Sequence, residues 1–138
     1  MYSTTFYLLL LVALIERNPV AAQLLGKEEK GKASFYAQMF HGRKTSLGES
    51  FNQKEYTAAH RSLPFNTMVE VTNVSNKRSV IVRITDRGPY HHSRLIDLTR
   101  AAAQYLGIVG SGVATVHLRV VGMEGMVLLG KNETITDT

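Results

Sequence analysis

Residues 68–85 read MVEVTNVSNKRSVIVRIT, and in this stretch branched apolar residues alternate with polar ones. Successive side chains of a β-strand point to opposite faces, so this alternation is typical of strands that bury one face. Two strands are predicted, Met68–Val74 and Ser79–Thr85. The residues between them, Asn73–Lys77, include asparagine and serine, which favour tight turns. The stretch therefore predicts a β-hairpin.

The sequence on either side of this hairpin also contains short strand-like runs. Four more strands are predicted, at Ala33–Ala37, Tyr56–Ala59, Leu95–Leu98 and Ala114–Val121. One helix is predicted at Arg100–Leu106, because Thr99 can cap its first turn and Gly107 can end it in a left-handed conformation. Six short strands and one helix of about two turns predict an all-β barrel or sandwich.

The length and composition of the chain are those of one globular domain. Its 138 residues are enough to close a single core. A hydrophobic content of 44% and a charged content of 20% argue against disorder and against a membrane-embedded body. The predicted divisions are a signal peptide at 1–22, a flexible leader at 23–31, a barrel domain at 32–122 and a polar tail at 123–138.

The signal peptide is predicted from the apolar run Phe6–Ile15, which is shorter than the roughly 20 residues that span a bilayer. Small residues at Val20–Ala22 follow at a suitable distance, so cleavage is expected between Ala22 and Gln23. A hydrophobic first strand is the alternative interpretation. On the first interpretation the protein is exported to the periplasm or the extracellular space and has no stable membrane anchor.

The chain contains no cysteine and carries a net charge of +5. Export without cysteine means no disulfide, no thiol chemistry and no lipid-modified cysteine, so a lipoprotein is not expected. A positive charge favours acidic polymers such as cell-wall glycans or nucleic acid. The basic residues are spread along the chain with few aromatic residues among them, so a nucleic-acid partner is the weaker alternative.

Two segments, His41–Phe51 (HGRKTSLGESF) and Asp86–Tyr90 (DRGPY), each place a carboxylate beside glycine. Counting by two along the second hairpin strand puts Asp86 on its apolar face, at the end of the barrel. Partial desolvation there would raise the pKa of Asp86 and make it a general acid near neutral pH.

Both carboxylates also have ordinary structural interpretations. Asp86 could be a turn residue paired with Arg83 or Arg87, and Glu49 could be a solvated loop residue. Among the five histidines no metal-ligand spacing occurs, so neither a metal nor another cofactor is expected. His60 could hydrogen-bond a ligand in a groove or could be a satisfied barrel residue.

The segments ASFYA, HGRKTSLGESF, YTAAHRSLPFNTMVEVTN, VRITDRGPY and RLIDLTRAAAQYLGI resemble, in this order, the rare lipoprotein A family of septal-ring lytic transglycosylases. The resemblance covers Lys32–Val121. It implies a six-stranded double-psi β-barrel with one short α-helix, a fold shared with expansins. The family's lipid-anchoring cysteine and C-terminal repeat domain have no counterpart here, so septal targeting is not carried over.

The resemblance also implies endolytic cleavage of peptidoglycan glycan, with a preference for strands stripped of their stem peptides. It places the functional carboxylates at Glu49 and Asp86. The residues expected to bind the glycan are His60, Arg87, Tyr90 and Tyr36. A monomer is expected.

The mechanism expected from these residues begins with Asp86 protonating the oxygen between N-acetylmuramic acid and N-acetylglucosamine. The muramyl 6-hydroxyl then attacks, which gives a 1,6-anhydro sugar. Glu49 would stabilise the positive charge or position the hydroxyl, and the two roles could be reversed. Two rival functions are a non-catalytic, expansin-like glycan-binding or wall-loosening protein and a hydrolase that activates water.

Overall fold

The computed structural model describes residues 23–37 and 40–129, together with Leu9. The elements of this part of the chain are the strands β1 Glu28–Phe35, β2 Thr57–His60, β3 Met68–Asn73, β4 Ser79–Asp86, β5 Ile96–Leu98, β6 Ala114–Met123 and β7 Met126–Val127, and the helix α1 Arg100–Leu106. No helix among the described residues is long and apolar enough to cross a membrane.

Six of these strands form a closed barrel. The strands follow one another around it in the order β1, β5, β2, β4, β3 and β6, and β6 pairs with β1 to complete the circle. The β1–β5 and β2–β4 pairs are parallel, and the other pairs are antiparallel. The two-residue strand β7 only extends β6 as a hairpin. The predicted all-β barrel with one short helix is confirmed.

The predicted hairpin forms β3 and β4, with Met68 opposite Arg83 and Thr72 opposite Ser79. Its alternating apolar residues point into the barrel, where Val69, Val71 and Val82 are fully buried. Burying one such side chain contributes about 1.5–3 kcal/mol, so this alternation fixes which face of each strand turns inward.

Helix α1 begins and ends at the predicted residues. The Thr99 side chain accepts a hydrogen bond from the backbone N–H of Ala102, and Gly107 adopts a left-handed conformation with φ of 75°. The helix buries Ala102, Ala103 and Leu106 against the barrel. Its seven residues close one end of the core.

Strand β1 begins at Glu28, five residues before its predicted start at Ala33. The expected leader at 23–31 is therefore wrong for Glu28–Gly31, which pair antiparallel with β6. This pairing closes the barrel, so the strand is needed although its sequence is mostly polar. Gly31 provides the small residue that the closure requires, because a Cβ atom there would lie 2.9 Å from Cβ of Leu95.

The signal peptide and the polar tail predicted at the two ends of the sequence overlap the described residues only in part. The expected signal peptide lies outside the described residues, apart from Leu9, and so do residues 130–138 of the expected polar tail. The first part of that tail is structured: it ends β6, forms β7 and buries Leu129 against Leu25 and Val121.

The end of β4 departs from strict alternation. The parallel register with β2 shifts by one residue, so Ala58 lies opposite Ile84 but Ala59 lies opposite Asp86. Thr85 is consequently buried next to Ile84, and Asp86 emerges half-buried at the rim of the barrel. Bulges of this kind redirect side chains at barrel rims.

Candidate active site

A groove of about 620 Å³ opens at the rim where β4 ends. Asp86 lies in it, together with Tyr36, Ser46, Arg87 and Tyr90. Three of the residues predicted to bind glycan, Tyr36, Arg87 and Tyr90, are thus brought together around one of the two predicted carboxylates. The groove is open to solvent.

The carboxylate of Asp86 accepts four hydrogen bonds. Its Oδ2 accepts from the Tyr36 hydroxyl at 2.7 Å. Its Oδ1 accepts from the Ser46 hydroxyl at 2.6 Å and from the backbone N–H groups of Ser46 and Arg87, both at 2.9 Å. None of these donors carries a charge, so dipoles solvate the negative charge of Asp86, and no cation among the described residues forms an ion pair with it.

These four donors decide the pKa of Asp86. Burial alone would raise it, and burial is the largest single influence, but the hydrogen bonds from Ser46, Tyr36 and Arg87 together outweigh it and lower the pKa. The predicted raised pKa is therefore wrong for the protein without glycan. The predicted turn pairing is not formed either, because Arg87 contacts Asp86 through its backbone and Arg83 binds another carboxylate.

Tyr36 is held as a permanent donor to Asp86. Burial and the neighbouring Asp86 carboxylate raise the pKa of its hydroxyl far above its ordinary value, so the hydroxyl keeps its proton. The ring packs 4.4 Å from the ring of Phe51 and meets the ring of Phe40 edge-on at 5.9 Å, centroid to centroid. Phe40 is 39% exposed and Tyr90 is 83% exposed, so the groove offers aromatic faces to a sugar.

Ser46 reaches Asp86 from residues 42–51. We call this segment the hairpin loop, and it is separate from the β3–β4 hairpin. Backbone hydrogen bonds close this loop, from Phe51 N–H to the Arg43 carbonyl at 2.6 Å and from Thr45 N–H to the Glu49 carbonyl at 2.8 Å. The N–H of Leu47 donates to the Thr85 carbonyl at 3.1 Å, which docks the loop on the end of β4.

Glu49 lies outside the groove, at the other side of the hairpin loop. Both of its carboxylate oxygens accept from the Arg83 guanidinium, at 2.9 and 2.7 Å. Arg83 also donates to the side-chain oxygen of Asn66 at 2.9 Å. The hydrogen bonds from Arg83 lower the pKa of Glu49 and outweigh the small effect of burial. The two predicted carboxylates thus do not share the groove: Asp86 lines it, whereas Glu49 is bound by a guanidinium outside it.

His60 is a structural residue of the barrel and does not line the groove. Its Nδ1 accepts from the backbone N–H groups of Ser62 at 3.1 Å and Leu63 at 3.0 Å, so Nε2 carries the proton and donates to Glu29 at 3.1 Å. The ring is only 3% exposed. Burial lowers its pKa and outweighs the opposite effect of Glu29. The satisfied-barrel alternative is the one that the geometry supports.

Arg87 contributes its backbone to Asp86 and its side chain to the scaffold. The guanidinium donates to the carbonyls of His60 at 3.2 Å and Leu63 at 2.8 Å and lies 4.0 Å above the Phe65 ring. It therefore stiffens the segment that follows β4, in addition to lining the groove.

Sequence reasoning missed Ser46 and Phe40 as groove residues. Both belong to or precede the segment HGRKTSLGESF, which drew attention only through Glu49. Ser46 lies 40 residues from Asp86 along the chain, so no local pattern could connect them.

Comparisons with known proteins identify the family of the chain. The lytic transglycolase family matches residues 28–118. The chain is 47% identical to "Endolytic peptidoglycan transglycosylase RlpA" of Pasteurella multocida over 78% of this chain and 37% of the relative. It is 57% identical to the probable protein of that name from Nostoc sp. over 76% of this chain and 30% of the relative. The chain thus spans about a third of the length of these curated relatives.

Two solved structures share the fold at low sequence identity. The Streptomyces papain inhibitor superposes with a TM-score of 0.56 at 22% identity, over 70% of this chain and 96% of the inhibitor. An expansin of Clavibacter michiganensis, solved as a mutant in complex with cellohexaose, superposes with a TM-score of 0.57 at 16% identity, over 70% of this chain and 51% of the expansin. The expansin likeness supports a double-psi β-barrel.

Proposed function

The chain belongs to the lytic transglycolase family, and we propose that it cleaves peptidoglycan glycan endolytically as a lytic transglycosylase. The bond cleaved joins N-acetylmuramic acid to N-acetylglucosamine, and the product carries a 1,6-anhydro end. The observation that carries this proposal is Asp86, an ionised carboxylate in an open groove. Four neutral donors hold it, and no cation in the described part of the chain pairs with it.

A negative charge that is not neutralised suits the chemistry of glycoside cleavage. Positive charge develops at the muramyl anomeric carbon in the transition state, and a preorganised carboxylate stabilises it. The other acid of the groove, Asp97, accepts a hydrogen bond from Ser34, which also accepts from Arg94 at 2.9 Å. Asp86, with its four hydrogen bonds, is the more preorganised of the two.

The reaction moves one proton from the muramyl 6-hydroxyl to the departing glycosidic oxygen, and we assign its transport to Asp86. Asp86 must first gain a proton, because its lowered pKa keeps it ionised in the free protein at neutral pH. Desolvation by burial is the largest single influence on the pKa of Asp86, and it acts upward. A glycan in the groove displaces water and strengthens this desolvation, so the pKa of Asp86 rises when the glycan binds. Protonated Asp86 then gives its proton to the glycosidic oxygen.

The second half of the reaction returns the proton. As the bond from the anomeric carbon to the leaving oxygen breaks, the 6-oxygen bonds to that carbon, and the Asp86 carboxylate takes the 6-hydroxyl proton. Asp86 ends protonated, as it was before the bond broke. The nucleophile belongs to the substrate, so no water has to be activated.

The basic side of the groove accounts for a preference for peptide-stripped strands. Removal of the stem peptide leaves a free lactyl carboxylate on each muramyl residue. Lys44 and Arg43 line the groove, and Lys44 forms no ion pair with any residue in the described part of the chain. An ammonium without an internal partner is suited to bind that carboxylate. Such a substrate places the protein at the bacterial cell wall, in the periplasm or outside the cell.

One observation favours a second candidate, a non-catalytic expansin-like glycan binder. Glu49 is engaged by Arg83 outside the groove, so it is not available to pair with Asp86 in the way that the two carboxylates of a hydrolase usually do. A binder needs only the aromatic faces of Phe40 and Tyr90 and polar groups for the sugar hydroxyls.

The test is mass spectrometry of the soluble products released by the full chain from peptidoglycan glycan with and without stem peptides, with Asp86→Asn as the control. Anhydro-muramyl ends that disappear in Asp86→Asn would establish the transglycosylase. Reducing ends would instead identify a hydrolase. Wall binding without any released fragment would overturn the enzymatic proposal in favour of the expansin-like one.

A further inference from the structure

The hairpin loop is attached to β4 at two places. On one side Ser46 donates twice to Asp86, and Leu47 donates to the Thr85 carbonyl. On the other side Glu49 receives both arms of the Arg83 guanidinium. The Glu49–Arg83 contact joins the hairpin loop to β4 through side chains alone, 34 residues apart in sequence.

We propose that Glu49 and Arg83 form a strut that holds the hairpin loop against β4 and thereby presents Ser46 to Asp86. Glu49 is then a positioning residue, and Arg83 is its partner in the same task. The proton of the reaction passes through Asp86 alone. The effect on cleavage rests on the proposed function, but the strut itself does not.

Backbone hydrogen bonds within the hairpin loop couple the position of Ser46 to that of Glu49. Thr45 N–H donates to the Glu49 carbonyl at 2.8 Å, and Gly48 N–H donates to the Thr45 carbonyl at 2.9 Å. Residues 46–48 are therefore enclosed in a tight turn, and three residues can span at most about 10 Å. A displacement of Glu49 must carry Ser46 with it.

The barrel side of the strut is equally fixed. Arg83 is half-buried, and its guanidinium is also bound by the Asn66 side-chain oxygen at 2.9 Å. Asn66 is anchored in turn, because its N–H donates to the Ile84 carbonyl at 2.8 Å. The planar guanidinium of Arg83 is fixed by Asn66 and donates two hydrogen bonds to the Glu49 carboxylate. It therefore orients that carboxylate more strictly than a lysine could.

The hydrogen bonds that the Glu49 carboxylate already accepts argue against direct proton transfer by this residue. Each of its two oxygens already accepts a charge-assisted hydrogen bond, and Glu49 does not line the groove. Unlike Asp86, Glu49 is paired with a cation, and the hydrogen bonds from Arg83 lower its pKa. Loss of the strut is expected to act on Asp86 indirectly, since the donors that Ser46 supplies lower the pKa of Asp86.

The experiment is a charge swap in the full chain, Glu49→Arg with Arg83→Glu, compared with the single variants Glu49→Gln and Arg83→Gln. Two quantities are measured: the pKa of Asp86 by carboxyl ¹³C NMR, and the rate of anhydro-product formation. We expect each single variant to raise the Asp86 pKa, because Ser46 is no longer held against the carboxylate. Cleavage should slow because the Asp86 carboxyl group is then less well oriented, but by less than the hundredfold that loss of a general acid typically costs. The swap should restore both quantities toward those of the original protein.

Two outcomes would overturn the strut. The first is an unchanged Asp86 pKa in both single variants. The second is a swap that restores the Asp86 pKa but cleaves no faster than Glu49→Gln, which would show that the Glu49 carboxylate itself reacts. If the original protein cleaves no glycan, the proposed function fails, while the Asp86 pKa still decides for or against the strut.

Two further variants guard against misfolding and nonspecific effects. Arg83→Lys keeps the charge but loses the fork, so its Asp86 pKa should lie between those of the original protein and Arg83→Gln, whether or not the swap folds. Glu70→Gln removes the contact of Glu70 with Arg119 at 3.5 Å, elsewhere in the barrel. This matched control should leave the Asp86 pKa unchanged, and a shift as large as that of Glu49→Gln would contradict the strut.

Discussion

Replacement of Tyr36 by phenylalanine removes one of the four hydrogen bonds on Asp86 and little else. The lost bond is the 2.7 Å contact from the Tyr36 hydroxyl to Oδ2. The phenylalanine ring can keep the 4.4 Å packing on Phe51. Because Oδ2 accepts no other protein hydrogen bond among the described residues, this substitution tests how far a single donor controls the charge of Asp86.

The size of the effect follows from the type of bond. A hydrogen bond to a charged group contributes about 1.5–3 kcal/mol, and one pKa unit corresponds to about 1.4 kcal/mol. Asp86 is half-exposed at the rim, so the lower end of this range applies. Tyr36→Phe should therefore raise the pKa of Asp86 by about one unit.

The same substitution has a predicted effect on stability. A carboxyl group whose pKa is lowered by folding stabilises the fold above its unfolded pKa of about 3.9, and this contribution is lost as the pH falls through the folded pKa. Tyr36→Phe should thus reduce the free energy of unfolding by about 1 kcal/mol at pH 7. The difference should diminish as the pH falls below the ordinary pKa of Asp86.

The assay combines a ¹³C NMR titration of the Asp86 carboxyl group with urea unfolding at several pH values. Tyr105→Phe is the matched control, since Tyr105 is exposed on α1 and its ring meets Tyr56, not the groove. An Asp86 pKa that stays the same in Tyr36→Phe, or that falls, would refute the electrostatic account of the groove.

Three further predictions concern other parts of the molecule. Thr45→Val should leave the free energy of unfolding unchanged or raise it by about 1 kcal/mol in urea unfolding, because the buried Thr45 hydroxyl has no hydrogen-bond partner among the described residues; a loss of 1 kcal/mol would contradict this. Lys44→Gln should weaken binding of peptide-stripped glycan in calorimetry but not that of uncharged chitin oligomers, whereas the exposed Lys30→Gln should change neither. Gly122→Ala should lower the melting temperature clearly, because its Cβ would lie 1.8 Å from the Met126 carbonyl oxygen; an unchanged melting temperature would show that β7 moves freely.

The sequence predicts those parts of the fold that depend on residues close together in the chain. The alternation of Met68–Thr85 determined β3 and β4, and the residues Thr99 and Gly107 determined the ends of α1. The start of β1 was not predictable in this way. Its polar residues follow no alternation of apolar and polar side chains, and only pairing with the distant β6 makes them a strand.

The same distinction between local patterns and distant contacts applies to the candidate site. The sequence located Asp86 at a strand end, but its pKa depends on donors from Tyr36 and Ser46, 50 and 40 residues away. Burial was foreseen and does act in the expected direction, yet the hydrogen bonds outweigh it. The pairing of Glu49 with Arg83 is likewise a contact that only the docked hairpin loop creates.

We propose that Asp86, and not Glu49, carries the proton in glycan cleavage. The most direct test is the rate at which the full chain, Asp86→Asn and Glu49→Gln release anhydro-muramyl ends from peptide-stripped glycan, measured by mass spectrometry. We predict that Asp86→Asn slows this release by about 10²–10⁴-fold, while Glu49→Gln keeps a readily measured rate. An Asp86→Asn variant that cleaves as fast as Glu49→Gln, or faster, would contradict the account.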